Sequence, residues 1–244
     1  MPKHTPHDVL PEYYPTEGAR RGFVGSIFDS TAVDYDRIEW LVGFGTGPWY
    51  RRQALQRAGL APGMRVLDVA IGTGLVAREA VRVLNGAGSI TGLDPSRGML
   101  GSFPGAEQVT LVQGRAEALP FPDASFDFLS MGFALRHMAD LDVVFREFRR
   151  VLKPGATMLA LEITQPAGAV GRAIARGYFR YAIPLLAKVV ARSPETPKLW
   201  RYYWDTIEAC VPPEQVLATL RAVGFKTVDR HLEVGIFSEY RGRA

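Results

Sequence analysis

With 244 residues and 47% hydrophobic side chains, the chain can bury a full core in one domain, and a disordered reading is set aside. Its net charge of +4 comes without basic–aromatic interleaving, which sets aside nucleic-acid binding. A single cysteine, Cys210, excludes an internal disulfide and suits a reducing, cytoplasmic compartment; no Cys/His/carboxylate cluster calls for a metal. The opening stretch MPKHTPHDVLPEYY has no apolar signal region, and no apolar run reaches the roughly 18 residues of a membrane span.

Residues 1–17 are rich in Pro and His and read as a flexible arm. Phe23, Ile27 and Phe28 recur at helical spacing, which predicts a helix over Arg20–Ser30. A second helical stretch covers Tyr35–Leu41, and a third starts at Gly47-Pro48 and runs through Arg57. Residues 18–58 therefore form an expected helical lid ahead of the first strand.

Met64–Leu75, MRVLDVAIGTGL, organises the rest of the chain. Val66, Leu67, Val69 and Ala70 form a short apolar run around Asp68, the pattern of a strand buried on both faces of a parallel sheet. Gly72-Thr73-Gly74 turns the chain into a helix carrying Leu75, Val76, Ala77, Ala80, Val81 and Leu84, stopped by Asn85-Gly86. Strand, glycine turn and helix make a nucleotide-binding unit. Gly72 to Ala77 also fits the dinucleotide fingerprint G-x-G-x-x-A, with Asp94 twenty residues past Gly74 to hold a ribose. Asp68, inside the strand and close to the turn, repels a pyrophosphate and suits a cationic amino group. It favours S-adenosylmethionine over the dinucleotide.

Ser89–Leu93, Val109–Gln113, Phe126–Met131 and Ala156–Ile163 read as further strands. Ser96–Phe103 is a short helix. Asp140 caps a helix whose buried stripe is Leu141, Val144, Phe145, Phe148, Val151 and Leu152. Pro213–Val223 is the last core helix, closed by Gly224, and Phe225–Glu233 and Val234–Glu239 are closing strands.

VLDVAIGTG, ITGLDPSRGML, VQGRAEALPFPDASFD and RVLKPG, in this order, resemble a class I S-adenosylmethionine methyltransferase. IFDSTAVDYDRI, FALRHMAD and LEITQP are similar to the ubiquinone/menaquinone C-methyltransferase family, over about Gly22 to Phe237. The resemblance implies an α/β, Rossmann-like seven-stranded sheet with helices on both faces, an N-terminal helical lid and a helical insertion before the last strands. It implies a methyltransferase of a small, hydrophobic or aromatic, quinol-like acceptor. An N- or O-methyltransferase of another metabolite or lipid head group, and a catalytically silent binding protein, stay as alternatives.

The cofactor set expected is Tyr35, Asp68, Ala70, Gly72, Thr73, Gly74, Asp94, Pro95, Met99, Arg115, Ala116, Gly132 and Phe133. Tyr35 and Asp36 match the family's Tyr-Asp pair. Arg115 stands where relatives place an adenine acceptor, although it has only donors; the backbone of Ala116 could serve the ring edge. Arg136 is the Arg of the family's F-x-L-R-N stretch and is expected to stabilise a phenolate. His137 replaces the Asn and could act as base.

Residues 168–210 form an expected helical cap over the acceptor, with Pro184 kinking or breaking its first helix. Arg172, Arg176 and Arg180 fall near one face of that helix, beside many apolar residues, which points to a mobile lid and to peripheral contact with an anionic membrane. The sequence leaves the oligomeric state open, a homodimer included.

Overall fold

The computed structural model describes residues 4–105 and 107–244. Among these residues, seven strands form one sheet in the order β3-β2-β1-β4-β5-β7-β6. They are β1 (Arg65–Val69), β2 (Ser89–Asp94), β3 (Thr110–Gln113), β4 (Phe126–Gly132), β5 (Leu152–Ile163), β6 (Lys226–Glu233) and β7 (Phe237–Arg243). β1 to β5 pair in parallel, and β7 lies antiparallel to both β5 and β6. The expected seven-stranded α/β sheet is therefore present. Its order reverses between β1 and β4, and a crevice at the carboxyl ends of such strands is where ligands sit.

Side-chain alternation loads both faces. Val66 and Phe128 point with Leu159 into a layer shared with α2 (Gly47–Arg57) and α3 (Leu75–Leu84). Leu67, Val69, Leu129 and Met131 point the other way, toward Phe145 and Phe148 of α5 (Leu141–Val151) and Leu220 of α9 (Pro213–Ala222). Asp140 caps α5 as expected, its carboxylate accepting from the N–H groups of Asp142 and Val143.

The structure departs from the sequence reading at several places, among them the last strand, which runs Phe237–Arg243 instead of Val234–Glu239. The two helices expected over Arg20–Leu41 are one 26-residue helix, α1 (Glu17–Val42). Ser30 and Thr31 donate their hydroxyls to the carbonyl of Ile27, so these polar side chains are satisfied along the helix instead of ending it. The segment read as a flexible arm is packed from His4 onward. His4 and Pro6 accept main-chain N–H groups from Leu141 and Val211, and His7 and Tyr14 are buried. Its Met1–Lys3 end lies outside the described residues. β5 begins at Leu152, directly after α5, instead of at Ala156; a register shift opposite β4 and the left-handed Gly155 absorb Pro154.

Pro184 does not end its helix. α6 (Ala169–Arg176) runs through a wide turn, Gly177–Ala182, into α7 (Ile183–Val190) with right-handed backbone at Arg176, Gly177, Ala182 and Ile183. The wide turn changes the hydrogen-bond spacing just before the proline, so the missing N–H is accommodated there. α8 (Thr196–Ala209) then packs Trp200, Tyr203 and Trp204 against Ile183 and Ala187. Asp34, buried in α1, anchors this cap by accepting from the N–H groups of Arg192 and Ser193 and the hydroxyl of Thr196.

Candidate active site

A cavity of about 590 Å³ lies at the carboxyl ends of β1, β2 and β4. It is lined by Tyr35, Asp68, Ala70, Gly72, Thr73, Asp94, Pro95, Met99, Arg115, Ala116, Gly132, Phe133 and His137. Two residues of the expected set do not line it. Gly74 sits below the turn at φ +84°, where a Cβ would run into the ring of Phe103; it shapes the turn without facing the cavity. Arg136 is fully buried behind the wall.

The turn is held from both sides. Gly72 is left-handed at φ +57° with open space where a side chain would be. Its N–H donates to Asp94 Oδ2 at 2.9 Å, and Asp94 Oδ1 accepts from the N–H of Ser96 at 2.8 Å. Ser96, not Asp94, caps the short helix α4 (Arg97–Gly101). Asp94 therefore keeps two fixed oxygens with spare lone pairs toward the cavity, and burial pushes its carboxyl up to about 6. Ala70 occupies a left-handed position, φ +54°, which costs an alanine about 1–2 kcal/mol and leaves its methyl on the cavity wall. Thr73 donates its hydroxyl to Asp36, which also pairs with Arg78 at 2.7 Å. Asp36 thus ties α1 to the glycine turn from outside the cavity lining.

Asp68 Oδ1 accepts from Ser130 Oγ at 2.7 Å, while Oδ2 is buried without a partner. Burial pushes this carboxyl up to about 7, and the neighbouring Asp94 adds to the shift. An unpaired carboxylate oxygen in a closed pocket is costly unless a cation completes it.

At the other end of the cavity, Phe133 follows β4 at φ +59°, its N–H donating to Leu161 at 2.7 Å. Tyr35 stacks on Trp200 at 5.9 Å. His137 stacks on Tyr202, with Nδ1 3.3 Å from the Tyr202 hydroxyl, and its Nε2 has no protein partner. Burial holds the imidazole well below its usual range, and the charge of Arg136 adds to this, so it is neutral.

Tyr35, expected at the site, lines the cavity; Arg21, Gly25 and Phe28, which the sequence reading did not name, line it along the same face of α1. The sequence reading also missed Glu117, which lines the cavity, receives Arg115 at 3.1 Å and accepts from the N–H of Ala139. The RAEALPF motif contains this acid, two residues past the position where an acceptor is expected.

The ubiE/COQ5 methyltransferase family model matches residues 16–243. The chain belongs to this family. It is an S-adenosylmethionine-dependent methyltransferase of class I. A demethylmenaquinone methyltransferase of Anoxybacillus flavithermus is 35% identical, across 84% of this chain and 88% of the relative. A ubiquinone/menaquinone biosynthesis C-methyltransferase of Shewanella woodyi is 30% identical across 99% of both. Among solved structures, a methyltransferase of Thermotoga maritima, described as a possible histamine N-methyltransferase, superposes with TM-score 0.63 over 89% of this chain and 98% of its own, at 20% identity. The [4+2]-cyclase SpnF superposes with TM-score 0.64 over 98% of each chain at 18% identity. These two likenesses carry the methyltransferase fold, and the second carries it in a protein described by another reaction.

Proposed function

We propose that this family member C-methylates the ring of a quinol, with Asp68, Asp94 and His137 as the residues that hold the two substrates. The observation that carries the reading is one cavity with two unmet polar groups: a buried Asp68 oxygen beside the glycine turn and a neutral His137 nitrogen at the aromatic end. The relatives named as demethylmenaquinone and ubiquinone/menaquinone methyltransferases supply the substrate class.

The residues at the turn suit S-adenosylmethionine. Asp68 Oδ2 would pair with its ammonium group, the oxygens of Asp94 would accept from the ribose hydroxyls, and Glu117 and the Ala116 backbone stand at the far side for the base. The cofactor, when bound, supplies a methyl group on a sulfonium that needs no metal or covalent help. The chain's part is alignment and exclusion of water. Phe28, Tyr35 and Phe133 wall the acceptor end with aromatic surface. His137 Nε2 would accept the hydrogen of the ring hydroxyl and take its proton as the ring carbon gains the methyl. The ring carbon's own hydrogen then leaves as a proton, the ring regains its aromaticity, and the proton on His137 returns to the oxygen. Arg136 acts at a distance, by fixing the loop that carries His137.

Two binding measurements test the cofactor half. Asp94→Ala is expected to weaken S-adenosylmethionine binding by about 10–100-fold, the loss of roughly 1.5–3 kcal/mol of hydrogen bonding to a charged group. Calorimetry reads this directly; an unchanged affinity would reduce Asp94 to a brace for the turn. Asp68 makes the affinity depend on pH. Its carboxyl titrates near 7 in the free protein, and a cation selects the ionised form. Binding should therefore be fully present above that value and weaken about tenfold per pH unit below it. In Asp68→Asn the affinity should be lower and this slope absent. The acceptor half is tested by mass spectrometry of products from a quinol, phenol and heterocycle panel with labelled cofactor. Transfer to carbon of the quinol is the expected result, and transfer only to nitrogen or oxygen would overturn the reading.

A further inference from the structure

We infer that the outward face of the continuous helix formed by α6, the wide turn and α7 docks on the surface of an anionic lipid bilayer. The inner face of this helix is fully used: Ile183 and Ala187 are buried against Ile38, Trp200 and Trp204. Its outer face carries Val170, Ile174, Tyr181, Leu185, Leu186 and Val189, several of them two-thirds or more exposed. An outer face in water normally carries charges of both signs. Here no acidic residue occurs from Ile163 through Pro194, while five basic residues do.

The placement of those bases matters. Arg172 and Arg176 stand toward one end of the helix, and Lys188 and Arg192 toward the other. Arg176 and Arg180 turn toward α8, where they pair with Glu208 at 3.8 Å and with Asp205. Between Arg172 near one end and Lys188 and Arg192 at the other, the exposed Ile174, Tyr181, Leu185 and Leu186 form an apolar stretch, with Val170 and Val189 beside the flanking bases. That arrangement fits a helix lying in the plane of an interface, its apolar side sunk among lipid chains and its bases among anionic head groups. Among the described residues no helix is long and apolar enough to cross a membrane, so lying on it is the mode open to this chain. A second aromatic corner is tethered nearby: Tyr178 donates to the carbonyl of Val42, close to the exposed Trp40 and Phe44, and tryptophan favours the membrane–water interface.

The helix is also packed onto the cavity wall, since the cluster beneath it includes Phe133. A bilayer-resident acceptor would meet the protein on this side; that consequence rests on the proposed quinol reading, whereas the docking itself does not.

The test uses the full chain and sedimentation with vesicles. It should pellet with phosphatidylcholine/phosphatidylglycerol vesicles at low salt, less so as salt rises, and far less with phosphatidylcholine alone. Leu185→Glu combined with Val189→Glu, both at exposed positions, should lower the bound fraction on anionic vesicles by about tenfold or more. Circular dichroism and S-adenosylmethionine affinity should stay unchanged. Failure of the wild type to pellet, or equal pelleting by the double variant, would overturn the docking. So would a concentration-dependent dimer abolished by the double variant, because the face would then belong to a second copy. Methyl transfer to a water-soluble short-chain quinol, which needs no membrane, reports on the proposed function separately.

Discussion

His137→Ala is expected to lower kcat by about 10²–10⁴-fold, the usual contribution of a positioned proton acceptor, with little change in S-adenosylmethionine affinity. The split comes from the geometry. His137 lines the cavity between the rings of Phe28 and Tyr202, and its buried Nε2 has no protein partner. The imidazole is held neutral by burial and by the positive charge of Arg136, so no other event has to remove its proton first. At saturating S-adenosylmethionine, kcat should therefore show no loss as pH falls toward 6.5, where an ordinary histidine would become cationic and stop accepting. His137→Asn should retain more activity than His137→Ala, because an amide oxygen still accepts the hydroxyl hydrogen, and the family pattern carries Asn at this place. Equal kcat in wild type and His137→Ala would leave the residue as packing between Phe28 and Tyr202, which it contacts at 5.2 and 5.4 Å.

The cofactor end of this site is legible in the sequence because its physics is local. A buried strand, an acid inside it, a glycine turn and an acid twenty residues on can be read from spacing alone; Gly72 does bond Asp94, and Asp68 lines the same cavity. The sheet is legible for the same reason, since each strand is a short apolar run. The acceptor end depends on contacts far apart in sequence. Nothing near Arg136 announces that Glu162 will lie against it, or that Thr206 of α8 will accept from its Nε. The order of residues 4–16 is hidden similarly. Val9, Leu10, Tyr13 and Tyr14 form no regular pattern, yet they pack on Phe23 and Tyr202 once α1 and α8 are side by side. α1 itself reads as two helices because its polar DST run resembles a terminator, while its back-bonded hydroxyls make that run an ordinary part of the helix.

Arg136 is where the structure changes the chemistry most. The resemblance gives it a phenolate to stabilise; the structure gives it Glu162. Its guanidinium is fully buried, pairs with the Glu162 carboxylate, donates Nε–H to Thr206 at 3.0 Å and lies 3.8 Å over the ring of Tyr203. Burial works against the positive charge, and the carboxylate of Glu162 more than restores it. Its backbone carbonyl accepts from Arg20, which also reaches His7, so the loop before His137 is pinned from the N-terminal segment as well. Arg136→Ala should thus cost stability first: about 3–5 kcal/mol, because it strands the buried Glu162 charge. Urea denaturation reads this as a lower midpoint. Replacing both partners, Arg136→Met with Glu162→Leu, should recover most of the loss, since two apolar side chains leave no orphaned charge. Where the variants fold, the loop carrying His137 is less fixed, so kcat should fall while cofactor affinity holds. A single Arg136→Ala that keeps its stability to within about 1 kcal/mol and still loses turnover would contradict this account. It would return Arg136 to the acceptor, because only a group free of a structural partner can be removed at so small a cost in folding.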